Sequence, residues 1–139
     1  MKIKSILASI VVTIISIAAA TAYGKDDDYA PAHFITSVTN QTFHQEVSDS
    51  QKPVVLDVCA PADCAARIAA TERLAVQFTG RARFVQAPTA ENSALMQRVN
   101  SPGLVIPTYM VSINDELFIV RKNLTEAEAK SFIESVISP

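Results

Sequence analysis

Five consecutive residues, Val54-Val55-Leu56-Asp57-Val58, constrain the fold of this chain more than any other stretch. Aliphatic and β-branched side chains on both alternating faces would be half wet at a sheet edge, so the run predicts a strand buried on both sides of a sheet. A sheet of that kind needs helices over each face. Asp57 interrupts the run, and a charge buried there alone would cost several kcal/mol. Alternation places it on the same strand face as Cys59. One reading of Asp57 is an acid that reaches solvent at the end of the strand.

The flanking sequence supplies the covering elements. Phe34 to Val38 is short and β-prone, and Thr39 reads as the N-cap of a helix to Ser48 that presents Phe43 and Val47 on one side. Ala65 to Phe78 carries Ile68, Leu74 and Phe78 near helical spacing, and Gly80 stops it. Arg83 to Gln86 reads as a strand, Glu91 to Val99 as a short helix, and Thr108 to Ile113 as a strand. Asn114-Asp115 turns the chain into a hairpin partner, Leu117 to Arg121. Thr125-x-x-Glu128 is a capping box opening a last helix to about Val136, with Phe132, Ile133 and Val136 inward. The order β-α-β-α-β-α-β-β-α predicts an α/β fold, a central mixed sheet with helices on both faces.

Ahead of this domain, Met-Lys-Ile-Lys followed by an uncharged run from Ser5 to Ala19 and by Ala20-Thr21-Ala22 reads as a cleaved secretory signal over residues 1–22. The apolar run is shorter than the roughly 20 residues that span a bilayer. Residues 23–33, with Lys25-Asp26-Asp27-Asp28 and Pro31, read as a solvated leader, and residues 34–139 as the folded domain. Removing Lys2 and Lys4 takes the net charge from −2 to −4. No basic cluster or regular series of aromatics provides a footprint for nucleic acid or, after cleavage, for a membrane surface.

The chain has two cysteines, Cys59 and Cys64, an even count that fits pairing in an oxidising compartment. A zinc site would need His33 and His44 as well, at spacings unlike finger or ribbon patterns, so no metal is expected. A disulfide requires Cα atoms about 5.5 Å apart. Five steps of helix place side chains ~140° apart and five of strand some 16 Å apart, so the pair can bond only across a bend. Pro61 favours one: it sets its own φ, pushes Ala60 to extended geometry and suits the first position of a helix. The ring so closed removes only about 2 kcal/mol of unfolded-chain freedom, a modest reason for its existence. A reversible bond with Cys64 in the first helical turn is the functional reading, against which stands the carboxylate of Asp63 beside the sulfur. A structural staple is the other.

Several local strings, in order, resemble the thioredoxin family over residues 34 to 137. These are Val38-Thr39-Asn40-Gln41-Thr42-Phe43 at the first helix entry, Lys52-Pro53-Val54-Val55-Leu56-Asp57-Val58 at the central strand, Ala60-Pro61 just after it, and Ile106-Pro107-Thr108 at the cis-proline loop. The resemblance implies a thioredoxin-like fold and disulfide exchange with protein thiols through Cys59 and Cys64. It further implies that Asp57 assists proton transfer, that Ile106 and Pro107 line a groove for extended peptide, and that a redox partner protein, with no cofactor, supplies electrons. The chain departs from the family at the site, where Cys-x4-Cys replaces Cys-x2-Cys. Aligning Arg73-Leu74-Ala75 puts Cys64 at the resolving position, shortens the strand-to-helix loop by about two residues, and leaves the nucleophile's place empty or filled by Pro61. The segment Asn100 to Val105 is about two residues long by the same alignment. A rival expectation is therefore a non-catalytic module that keeps the groove and binds a partner. Elsewhere, His44 reads as solvated, Tyr109 and Phe118 as core, and Arg67 and Arg73 as the solvent face of the second helix.

Overall fold

The computed structural model describes residues 35–100, 102–120 and 122–138. The signal and leader segments, His33, Phe34 and Arg121 lie outside them. Strand β2 (Val54–Cys59) is buried along its whole length and occupies the middle of a five-stranded sheet ordered β1-β3-β2-β4-β5. On one side it pairs in parallel with β3 (Arg83–Pro88), which pairs in parallel with the short β1 (Thr36–Ser37). On the other it pairs antiparallel with β4 (Thr108–Ile113), which continues through a hairpin into β5 (Glu116–Ile119). Asn114 and Asp115 both adopt positive φ at that turn, as a tight hairpin connection demands. The mixed α/β sheet expected from the order of elements is the observed one.

Period-two alternation divides the strands between two cores. Val54, Leu56, Val58, Val85, Ala87 and Met110 pack with Val38 and with Val47 of α1 (His44–Ser48) and Leu95 of α3 (Ser93–Arg98). Val55, Phe84, Tyr109 and Val111 pack with Leu74, Ala75 and Phe78 around α2 (Pro61–Gln77) and with Ala129 and Ile133 of α4 (Glu126–Ile137).

Several boundaries differ from expectation. Thr39 begins a turn, its Oγ1 accepting from the Gln41 N–H at 3.2 Å, but α1 itself is a single π-helical stretch over His44–Ser48. The helix expected over Glu91 to Val99 is a 3-10 turn, Thr89–Glu91, followed by α3. Helix α2 begins four residues before Ala65, because Pro61 takes its first position and Ala60 is extended at φ −68°, ψ 148°. Alanines at 62, 65, 66, 69 and 70 supply helix propensity through its first half. Thr125 and Glu128 form the capping box of α4 in both directions.

Candidate functional site

Cys59 ends β2 and Cys64 lies in the first turn of α2, and the bend at Ala60-Pro61 brings their Cα atoms to 5.3 Å with the sulfurs bonded. Cys59 is fully buried, whereas Cys64 keeps 8% of its surface. Each sulfur lies near a backbone carbonyl: Cys59 Sγ is 3.5 Å from the Asp57 oxygen and Cys64 Sγ 3.4 Å from the Cys59 oxygen. Both carbonyls are placed to accept an S–H in the dithiol form.

Asp57 does not reach solvent at the strand end. It is fully buried, and its carboxylate accepts from Arg67 Nε at 2.6 Å, Thr71 Oγ1 at 2.9 Å and Gln86 Nε2 at 2.9 Å. The register explains the grouping. Gln86 on β3 and Tyr109 on β4 both stand level with Asp57, forming a polar row across three strands on one face of the sheet. Helix α2 closes over the row with Arg67 and Thr71, three and seven residues beyond Cys64 and hence on the same helical side. Because Thr71 gives its proton to the carboxylate, Tyr109 Oη is the donor in the 2.8 Å contact between the two hydroxyls. Burial pushes the Tyr109 phenol up from its ordinary value. The second N–H of the Gln86 amide goes to the Cys64 carbonyl, at 2.9 Å, so one side chain links the carboxylate to the cysteine turn.

Arg67 was expected on the solvent face and is not there. Its side chain is only 18% exposed, ion-paired with Asp57 and set over the Tyr109 ring at 5.0 Å. A buried carboxylate needs a cation or several donors, and α2 delivers the guanidinium from one turn past Cys64. Arg73 does lie outward, paired with Glu126 across the surface. His44 is 81% exposed, beside Asp49.

The peptide between Ile106 and Pro107 is cis. The last register pair of β2 and β4 is Val58 with Thr108, and one further step brings Pro107 level with Cys59. Ile106 packs against the first core and borders an open groove with Thr89, Met96 and Leu104. Cys59 pairs with Pro88, immediately before Thr89, so this groove opens at the same end of the sheet as the disulfide.

Gln86, Thr71 and the inward Arg67 were missed by sequence reasoning. An amide inside an otherwise apolar strand and an Arg and a Thr at helical spacing from Cys64 are the signals that point to them.

No family model matches the chain. Over 76 residues, 53% of its length, it is 34% identical to Thioredoxin 1 of Nostoc sp., of which it covers 69%.

Proposed function

Because the chain belongs to the thioredoxin family, we propose that it exchanges disulfides with protein partners through Cys59 and Cys64, outside the cytoplasm. The observation that carries this reading is the bonded pair at the β2–α2 bend, with Cys64 the less completely buried residue of the two and Pro107 level with its partner.

A partner thiolate attacks Cys64 Sγ, the Cys59–Cys64 bond breaks, and Cys59 Sγ leaves with the electron pair and takes a proton. A second partner thiolate then attacks the partner's own sulfur in the mixed disulfide, releasing Cys64 as thiolate at the start of α2, where the helix dipole favours it. Two electrons pass from a partner dithiol to the pair, one of the two protons released goes to Cys59 and the other to solvent, and the reverse sequence reduces a partner disulfide. Asp57, buried beside the cysteine turn and linked to it through Gln86, assists the movement of those protons. Ile106 and Pro107 form the wall against which an extended peptide presents its cysteine. The segment 1–22 supports export, and export supplies a compartment in which such a pair cycles.

Full burial of Cys59 favours a second reading, a partner-binding module in which the bond only staples the bend. Insulin reduction by dithiothreitol separates the two: the wild type accelerates it and Cys64→Ser abolishes the acceleration. Equal turnover by wild type and variant removes Cys64 from any mechanism.

A further inference from the structure

We propose that Arg67 is a positioning residue for the cysteine pair, holding the first turn of α2 against the sheet when the disulfide is open. The inference rests on the exchange reading above and deepens it. Arg67 Nε binds Asp57 Oδ1, Asp57 Oδ2 accepts from Gln86 Nε2, and the other hydrogen of that amide goes to the Cys64 carbonyl. This path ties α2 to β2 and β3 without passing through either sulfur.

The other polar ties at this end of the helix are Thr71 Oγ1, which donates to the same carboxylate at 2.9 Å, and Gln86 Nε2 on the Cys64 carbonyl, and neither brings a charge. Ala60, the N-cap, offers no side-chain hydrogen bond. Among the described residues, Arg67 is the only cation paired with Asp57, and the terminal guanidinium nitrogens have no hydrogen-bond partner. The guanidinium is therefore committed to the carboxylate through Nε and to the Tyr109 ring through its flat face. A lysine ammonium reproduces the charge but not that planar seat.

The consequence is thermodynamic. An intramolecular disulfide closes in proportion to the effective concentration of one sulfur at the other. A tie present in both redox states keeps Cys64 near Cys59 in the dithiol, so it favours closing. Without Arg67 the dithiol spreads over more conformations while the bonded form stays confined by the bond, and the disulfide becomes easier to reduce.

The test equilibrates the full chain in glutathione buffers and counts free thiols by maleimide mass shift. In the reaction followed, the dithiol and one oxidised glutathione give the Cys59–Cys64 disulfide and two reduced glutathiones. Arg67→Met is expected to shift this equilibrium about tenfold toward the dithiol, or about 30 mV, and Arg67→Lys less. Arg73→Met, which breaks a surface pair on the same helix, is expected to leave it unchanged. A wild-type constant in folded Arg67→Met, or an equal shift in Arg73→Met, overturns the proposal.

Amide exchange in Cys59→Ser/Cys64→Ser provides a second test, independent of redox chemistry and of whether Arg67→Met folds. The N–H groups of residues 63 and 64, both bonded to the Ala60 carbonyl, are expected to stay protected without the sulfur bond. Their free exchange, with the rest of α2 still protected, overturns the proposal. A wild-type disulfide that no thiol reduces in the folded state sinks the exchange reading instead, and the amide measurement still judges Arg67.

Discussion

The two faces of the sheet solve the same burial problem in opposite ways. On the α1 and α3 face, the inward side chains of β2, β3 and β4 are Val54, Leu56, Val58, Val85, Ala87 and Met110, with only the Thr108 and Ser112 hydroxyls of β4 among them and no charged group. On the α2 and α4 face, the end near Val55, Phe84 and Val111 is equally dry, but the other end buries Asp57, Gln86 and Tyr109 and must answer each polar atom. Helix α2 follows that division along its length. Its C-terminal end contributes Leu74 and Ala75, with Phe78 just beyond it, and the part from Cys64 to Thr71 contributes Arg67, Thr71 and the Cys64 carbonyl. The apolar parts supply stability with little geometric precision, whereas the polar end specifies where one helical turn sits, and that turn carries a sulfur.

The largest expected effect breaks the polar end. Arg67→Met leaves the Asp57 carboxylate buried without its cation and is expected to cost about 3–5 kcal/mol in denaturant unfolding. Asp57→Leu combined with Arg67→Met is expected to recover most of that loss. A double variant as unstable as the single one would mean that the network contributes more than relief of a stranded charge.

The dry face gives the contrasting control. Leu56→Ala is expected to cost about 3 kcal/mol through a cavity, while the glutathione equilibrium of the cysteines stays at its wild-type value. A shifted equilibrium in Leu56→Ala would show that the two faces are not separable.

A smaller effect sharpens the division by pH. The folded Tyr109 phenol holds its proton more tightly than an exposed one because burial disfavours the phenolate. The stability tied to that proton is therefore complete below about pH 10 and lost as pH rises through the higher folded value. Tyr109→Phe is expected to cost about 1 kcal/mol near neutrality and to flatten the alkaline part of the stability profile. An alkaline limb unchanged in the variant would assign it to other groups.

The smallest effects lie on the surface. Hydrogen bonds from Arg98, Arg73 and Arg81 lower the pKa values of Asp115, Glu126 and Glu134 respectively. Their contribution is present above the ordinary carboxylate range and is lost as pH falls through the lowered values. Glu134→Gln is expected to reduce stability slightly at low salt and not at high salt, because exposed pairs are screened.

Much of this fold was legible because its signals are local. The run at 54–58 could only be a covered central strand, Thr125 and Glu128 read as a capping box, and Asn114-Asp115 as a hairpin turn. Hydrophobic spacing found α1 but not its π-helical hydrogen bonding, since a one-residue change of bonding partner over one turn leaves little trace in periodicity. The bend at Pro61 was legible from proline's own geometry, and with it the chance of a disulfide. The site's polar network was not. Assigning Arg67 to solvent treated the helix alone, whereas its partner is fixed by the pairing of Asp57 with Gln86 and Tyr109 on neighbouring strands, and register between strands distant in sequence is set by the assembled sheet.

The central claim is that the Cys59–Cys64 bond opens and closes in the folded protein. Maleimide trapping of the native chain, without denaturant, across a series of glutathione ratios tests it directly. Progressive appearance of two free thiols with the fold intact is the expected result, and sulfurs that stay bonded until the protein is unfolded would contradict it.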